Sequence, residues 1–195
     1  MTAPDEVPVW LWRSVRTALG ITIAGGLIAV IVLAAGAADP PRAGPRRYEN
    51  STAHTLIARA NSGTQFEPES VVLPNGAFTL EVSGRLSPDS DPSAAWGIEL
   101  SDDQTRYSAL LNGFRQYAVM PSQPDFAPFI HVRADGESNK ITLDVRGDSS
   151  ATMRINDEVA WTGRIGAVRS AHIQVIGGLD KSAALTVEGV AVYAP

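Results

Sequence analysis

From Phe78 to the C-terminus, apolar and polar residues alternate with a period of two, and that pattern admits few folds. Phe78, Leu80 and Val82 alternate with Thr79, Glu81 and Ser83; Trp96, Ile98 and Leu100 alternate with Gly97, Glu99 and Ser101. Tyr107, Ala109 and Leu111 continue the series, followed by Ile130 and Val132, by Ile141, Leu143 and Val145, and by Met153 and Ile155. Val159 and Trp161, Ile173 and Val175, and Leu185 and Val187 complete it. Successive side chains of a strand point to opposite faces, so this alternation predicts half-buried strands. Turn-forming clusters separate the runs: Pro74-Asn75-Gly76, "SPDSDPS" at 87–93, Asp135-Gly136, Gly147-Asp148, Asn156-Asp157 and Gly177-Gly178. Short strands at such spacing predict an all-β antiparallel sandwich or barrel. In "LTVEGVAVY", Leu185 and Val187 are in one phase and Val190 and Val192 in the other, which predicts a β-bulge at Glu188-Gly189.

A different pattern precedes these strands. No residue from Thr17 to Ala38 is charged. As a helix, roughly 22 residues at ~1.5 Å each reach about 33 Å, enough for a hydrocarbon core of ~30 Å. Trp10 and Trp12 precede the run where an interfacial aromatic belt would lie. The expectation is a single transmembrane α-helix over 17–38, after a short tail at 1–16. A Pro/Arg-rich linker at 39–47 and a β-sandwich domain at 48–195 follow. A cleaved signal peptide is the alternative, with Ala35-Gly36-Ala37 as its cleavage site. The anchor reading places the chain in the plasma membrane, single-pass, with its C-terminal domain extracytoplasmic. Gly20/Ala24 and Gly25/Ala29 are small-residue pairs that suit close approach of another helix, and so an accessory subunit of a membrane complex.

The strand order from Phe66 to Tyr193 resembles the concanavalin A-like lectin/glucanase superfamily, and within it the bacterial 3-keto-disaccharide hydrolase-like branch. The stretches that carry the resemblance are "FTLEVSGRL", "WGIELSDDQTRYSALLNG", "QYAVM", "NKITLDVRGDSSATMRINDEVAW" and "LTVEGVAVY". The resemblance implies a jelly roll of two packed antiparallel sheets, often joined to secreted or membrane-anchored bacterial proteins. It also implies closely spaced acidic residues on one strand face in the glucanases. Here Glu99 has Gly97 and Ser101 as its same-face neighbours. Two carboxyls ~5–9.5 Å apart are needed for glycoside hydrolysis, so Asp144 on a later strand is the remaining partner for Glu99.

Other chemistries find less support. The acidic pairs Asp89/Asp91 and Asp102/Asp103 offer oxygen ligands to calcium, but Asp is equally favoured in turns, and neither pair has EF-hand spacing. His54, His131 and His172 lack zinc-motif neighbours, and no GxSxG elbow is present. No cysteine is available as ligand or nucleophile, no metal or cofactor is expected, and the net charge of -5 argues against nucleic acid. Trp96, Tyr107 and Trp161 run in phase with aliphatic residues and belong to the core. Phe114, Phe126 and Phe129 fall in loop-like stretches. The out-of-phase residues Glu99, Arg106, Arg133, Asp144, Arg146 and Arg154 form the expected polar face, the candidate ligand contacts. The function expected is a membrane-anchored, non-catalytic binding or scaffolding module for glycan or envelope protein. A carbohydrate-active hydrolase is a further alternative.

Overall fold

A computed structural model of the chain describes residues 16–27, 42–61, 63–102 and 104–195. The chain divides into two compact units, Met1–Pro40 and Pro41–Pro195. In the first, residues 16–27 form a helix with exposed side chains. Among the described residues no helix is long and apolar enough to cross a membrane. The span expected over 17–38 is therefore described only as far as Leu27, and Trp10, Trp12 and Ala29 lie outside the described residues. Gly20, Ala24 and Gly25 are on the helix, and a methyl group added at Gly20 or Gly25 would meet nothing within 4 Å.

The second unit is all β. Its strands are β1 (Arg46–Asn50), β2 (His54–Ala58), β3 (Thr64–Phe66), β4 (Val71–Val72), β5 (Phe78–Leu86), β6 (Ala95–Ser101) and β7 (Arg106–Asn112). Then follow β8 (Gln116–Met120), β9 (Gln123–Pro128), β10 (Asn139–Val145), β11 (Ser150–Ile155), β12 (Glu158–Arg164), β13 (Ser170–Ile176) and β14 (Ala183–Tyr193). The first sheet runs β1-β14-β5-β10-β11-β12, with β2 also on β14; the second runs β3-β13-β6-β7-β8-β9, with β4 also on β13. All pairings are antiparallel. The chain passes between the sheets at β2–β3, β4–β5, β5–β6, β9–β10, β12–β13 and β13–β14, the repeated crossing of a jelly roll.

The alternation explains the core. Leu80, Val82, Ile141 and Met153 of the first sheet face Trp96, Ile98, Leu111 and Val175 of the second, and all are essentially inaccessible. Burying each such side chain stabilises by about 1.5–3 kcal/mol. Tyr117 of β8 ties the layers at one edge, its hydroxyl donating to the Ala160 carbonyl of β12 at 2.6 Å.

The hairpin expected at "ELSDDQTRY" is β6–β7, with Ser101 paired to Arg106. The bulge expected near Gly189 is present, as a register shift between Val187 and Gly189. The strand expected at Ile130 and Val132 is not formed. These residues lie in the irregular stretch between β9 and β10, where Val132 is buried and Ile130 is 88% exposed. Part of the expected linker belongs to the sandwich: Ala43 N–H donates to Thr79 Oγ1, and β1 begins at Arg46.

Two ends of the sandwich can be told apart. Tyr193, Thr79, Val145, Ser150, Arg164, Ser101 and Arg106 mark one, called here the Tyr193 end. The loops at 87–94, 113–115 and 177–182 mark the other, the Asp91 end, where Asp91 receives the backbone N–H groups of Asp180 and Lys181.

Candidate functional site

The predicted polar residues do not share one face. Glu99 and Arg106 stand on the second sheet, whereas Asp144 and Arg154 stand on the outer side of the first. Glu99 and Asp144 are thus on opposite outer faces with the core between them, and form no pair across a substrate. Arg146 lies in the β10–β11 turn. Arg133 closes the 133–139 loop, its guanidinium donating to the Ser138 carbonyl and its N–H to Asn139 Oδ1.

The first sheet's outer face is largely paired within itself. Asp144 accepts from Thr79 Oγ1 at 2.7 Å and lies 3.7 Å from Arg154 Nε. Glu81 holds Arg42 at 2.9 Å, and the Tyr193 ring is covered by Arg42 and Arg46 at 5.0 and 5.6 Å. Thr142 Oγ1 and Arg154 Nε are buried there without hydrogen bonds, but the charge and the aromatic ring beside them are already engaged.

The second sheet's outer face is different. Its register sets up parallel rows across the strands. One row holds Phe66, Gln174, Gly97, Leu110 and Ala118. The next holds His172, Glu99, Ser108 and Met120; beyond it lie Ser170, Ser101 and Arg106. Phe126 of β9 stands on the same side, since its neighbour Ala127 packs against the core. Burial falls off from row to row. Gln174, Leu110 and Ala118 are at most 3% exposed, whereas His172, Glu99, Ser108 and Met120 are partly open. The face therefore has a covered floor along the Gly97 row and opens along the His172 row, and is called the trough here.

Gly97 is what lets that floor form. A Cβ there would sit 1.9 Å from the Ala109 carbonyl oxygen, so strand β7 approaches where only a hydrogen fits. Ser101 and Ser170 bond each other at 3.0 Å, but the polar groups of the two inner rows are uncommitted. Gln174 Nε2 is buried with no hydrogen-bond partner. A buried amide donor left unmade costs about 1–3 kcal/mol, and such a group calls for an explanation. No ion pair or hydrogen bond engages the side chain of Glu99 or His172 among the described residues; the His172 ring meets Phe66 edge-on at 6.1 Å.

The acidic turns have a structural role. Asp91 Oδ1 accepts from Ser93 N–H and Oγ, and Oδ2 from the Asp180 and Lys181 N–H groups. Ser93 N–H, Asp180 N–H and the Ser93 hydroxyl hold its carboxyl down at about 2. Asp102 Oδ1 accepts from Gln104 and Thr105 N–H, which lowers its pKa too. Among the described residues no three His, Asp or Glu side chains are placed to hold a metal ion. Asp103 lies outside the described residues.

Gln174, Phe66, Leu110 and Ala118 were not singled out from the sequence. Gln174 carried a readable signal, as the out-of-phase polar residue between Ile173 and Val175. Phe66 did not, because β3 has only three residues and no alternation to read.

Solved structures share this architecture. The metal-free Emp46p carbohydrate recognition domain is 11% identical with a TM-score of 0.51, covering 73% of this chain and 87% of that one. The alginate lyase AlgAT5 of polysaccharide lyase family 7 is 10% identical with a TM-score of 0.53, covering 76% of this chain and 83% of that one. The Emp47p carbohydrate recognition domain is 9% identical with a TM-score of 0.50, covering 75% and 87%. The shared feature is the fold, an antiparallel two-sheet jelly-roll sandwich. No family model and no curated protein matches the chain.

Proposed function

We propose that the outer face of the second sheet binds glycan, and that the sandwich is presented at a membrane surface by the apolar segment 17–38. The observation that carries the binding reading is the buried, unpartnered Gln174 amide in a trough that also holds uncommitted Glu99 and His172 beside Phe66. A sugar ring offers hydroxyls to the amide and carboxylate, and an apolar face to Phe66 and Met120. The free carboxylate of Glu99 at the centre favours a neutral sugar over a uronate. The role is binding rather than cleavage, because Glu99 is the single carboxylate in the outward rows of β13, β6 and β7 and hydrolysis takes two. The neighbours' printed descriptions, two carbohydrate recognition domains and a lyase, are compatible with sugar as the ligand. The adjacency of His172 and Glu99 across β13 and β6 favours a carbohydrate-active enzyme as the second reading.

The test is titration with a panel of neutral and uronate oligosaccharides, followed by calorimetry and by a turnover assay. Binding of a neutral member should weaken about tenfold in Gln174→Ala and in Glu99→Ala, as loss of one hydrogen bond of ~1.4 kcal/mol implies. Equal affinity in both variants, with their urea midpoints retained, would remove the trough from consideration. Product release by the unaltered protein would favour the enzyme.

A further inference from the structure

The charges of the sandwich are sorted by end. At the Tyr193 end, Arg106, Arg146, Arg164 and Arg169 are all exposed. The loops that carry them adjoin one another: a cavity of about 190 Å³ is lined jointly by Asn75, Phe78, Arg146, Ser149, Gly166 and Val168. Asp102 and Asp148 are the described acids at these turns, both occupied as turn caps, and the sequence adds Asp103. The Asp91 end carries no such excess: Asp89, Asp91, Asp135, Glu137, Asp157 and Asp180 lie there with Arg59, Arg85, Arg115, Arg133, Lys140 and Lys181, Lys140 being 2.6 Å from Asp157.

The first described residues of the second unit, 42–47, lie at this basic end. Arg42 is tied to Glu81, Ala43 to Thr79, and Arg47 donates to the Ala194 carbonyl, so residues 42–47 are fixed beside Tyr193. Next to it is a groove of about 400 Å³ lined by Arg47, Tyr48, Val72, Leu73, Pro74 and Val192. Val72 is 78% exposed there and Tyr48 38%, apolar surface placed among cations.

We infer that the Tyr193 end docks on an anionic lipid surface, with the arginines at the headgroups and Val72 and Tyr48 at the interface. Cations near an anionic leaflet are attracted to it, and aromatic and apolar groups settle at headgroup level. The Asp91 end, where acids and cations balance, gains no such attraction and faces away, and the trough on the second sheet's outer face stands roughly upright, open to ligands from the side. The orientation rests on the anchor reading proposed above; the charge sorting does not.

The experiment uses the full chain with vesicles of phosphatidylcholine alone and of phosphatidylcholine mixed equally with phosphatidylglycerol. Flotation reports attachment, and amide hydrogen exchange reports which end is covered. Docking is supported by about fivefold or greater slowing at 146–149 and 165–169 with the anionic vesicles alone, sensitive to molar salt, where screening shortens to ~3 Å. It should fall away in the double variant Arg146→Gln, Arg164→Gln. Flotation with both vesicles but equal exchange at both ends overturns docking and leaves the anchor standing. Flotation with anionic vesicles alone overturns the anchor and supports docking; flotation with neither overturns both. The same slowing produced by inorganic phosphate in detergent would mean a free-anion site and would also overturn it.

Discussion

Gly97 is the residue on which the trough most depends. It pairs with Leu110, and its missing side chain lets the Ala109 carbonyl come within 1.9 Å of where Cβ would be. Both strands are central in their sheet, so neither can shift without disturbing Trp96, Ile98 and Leu111. Gly97→Ala should therefore cost about 3 kcal/mol or more, at the upper end of what overpacking does in a core. Urea unfolding measures this; an unchanged midpoint would mean that the strands are not held at that spacing. Gln174 is the complement. Its environment is set by neighbours that do not bond to it, so replacing it alters ligand affinity more than stability.

At the scale of elements, what the sequence made legible follows from how each strand is buried. Strands with one face in the core, such as β5, β6, β10 and β13, write their burial into alternation, and their phase identifies Trp96, Leu143 and Val175 as core. Short edge strands bury too little to be written that way, which is why β3 and β4 escaped notice and Phe66 with them. Alternation also cannot say which sheet a strand joins. That assigned Glu99 and Asp144 to one polar face, when the crossover after β5 places them on opposite sides. The Asp-rich loops were better read, since turn chemistry is local. Asp91 gathers the β5–β6 and β13–β14 loops on one carboxylate whose folded value, about 2, lies below the ordinary 3.8. Its contribution is present above about 3.8 and is lost as pH falls through about 2. Asp91→Asn should thus flatten the acid limb of stability between those values. Urea midpoints across that range decide it; an acid limb as steep as in the unaltered protein would place the titration elsewhere.

For the molecule as a whole, the question is what keeps two sheets in one register, since among the described residues no strand of one sheet pairs with a strand of the other. At one open side the link is ionic. His54 of β2, paired with Val187 in the first sheet, reaches Glu67, whose N–H is bonded to the Ile173 carbonyl in the second. His54 Nε2 lies 2.7 Å from Glu67 Oε2, and Nδ1 lies 3.1 Å from the Thr52 carbonyl. Burial lowers the imidazole pKa, but the Thr52 carbonyl and the Glu67 carboxylate outweigh it, so the net shift is upward from 6.5. Both ring nitrogens face acceptors, which suits the doubly protonated ring. The group's folded pKa is raised, so its stabilisation is fully present below about 6.5 and fades as pH rises through the folded value. With the imidazole 31% and the carboxylate 16% exposed, the effect is about 1 kcal/mol at most. Unfolding midpoints should therefore decline gently from pH 6 to 8 in the unaltered protein and stay level in Glu67→Gln. The link is between sheets, so the exchange of amides in β2 and β3 should quicken over the same range while those of β6 and β10 stay fixed. A decline that survives in Glu67→Gln, or one spread evenly over every strand, would show that the two layers are held by the core alone.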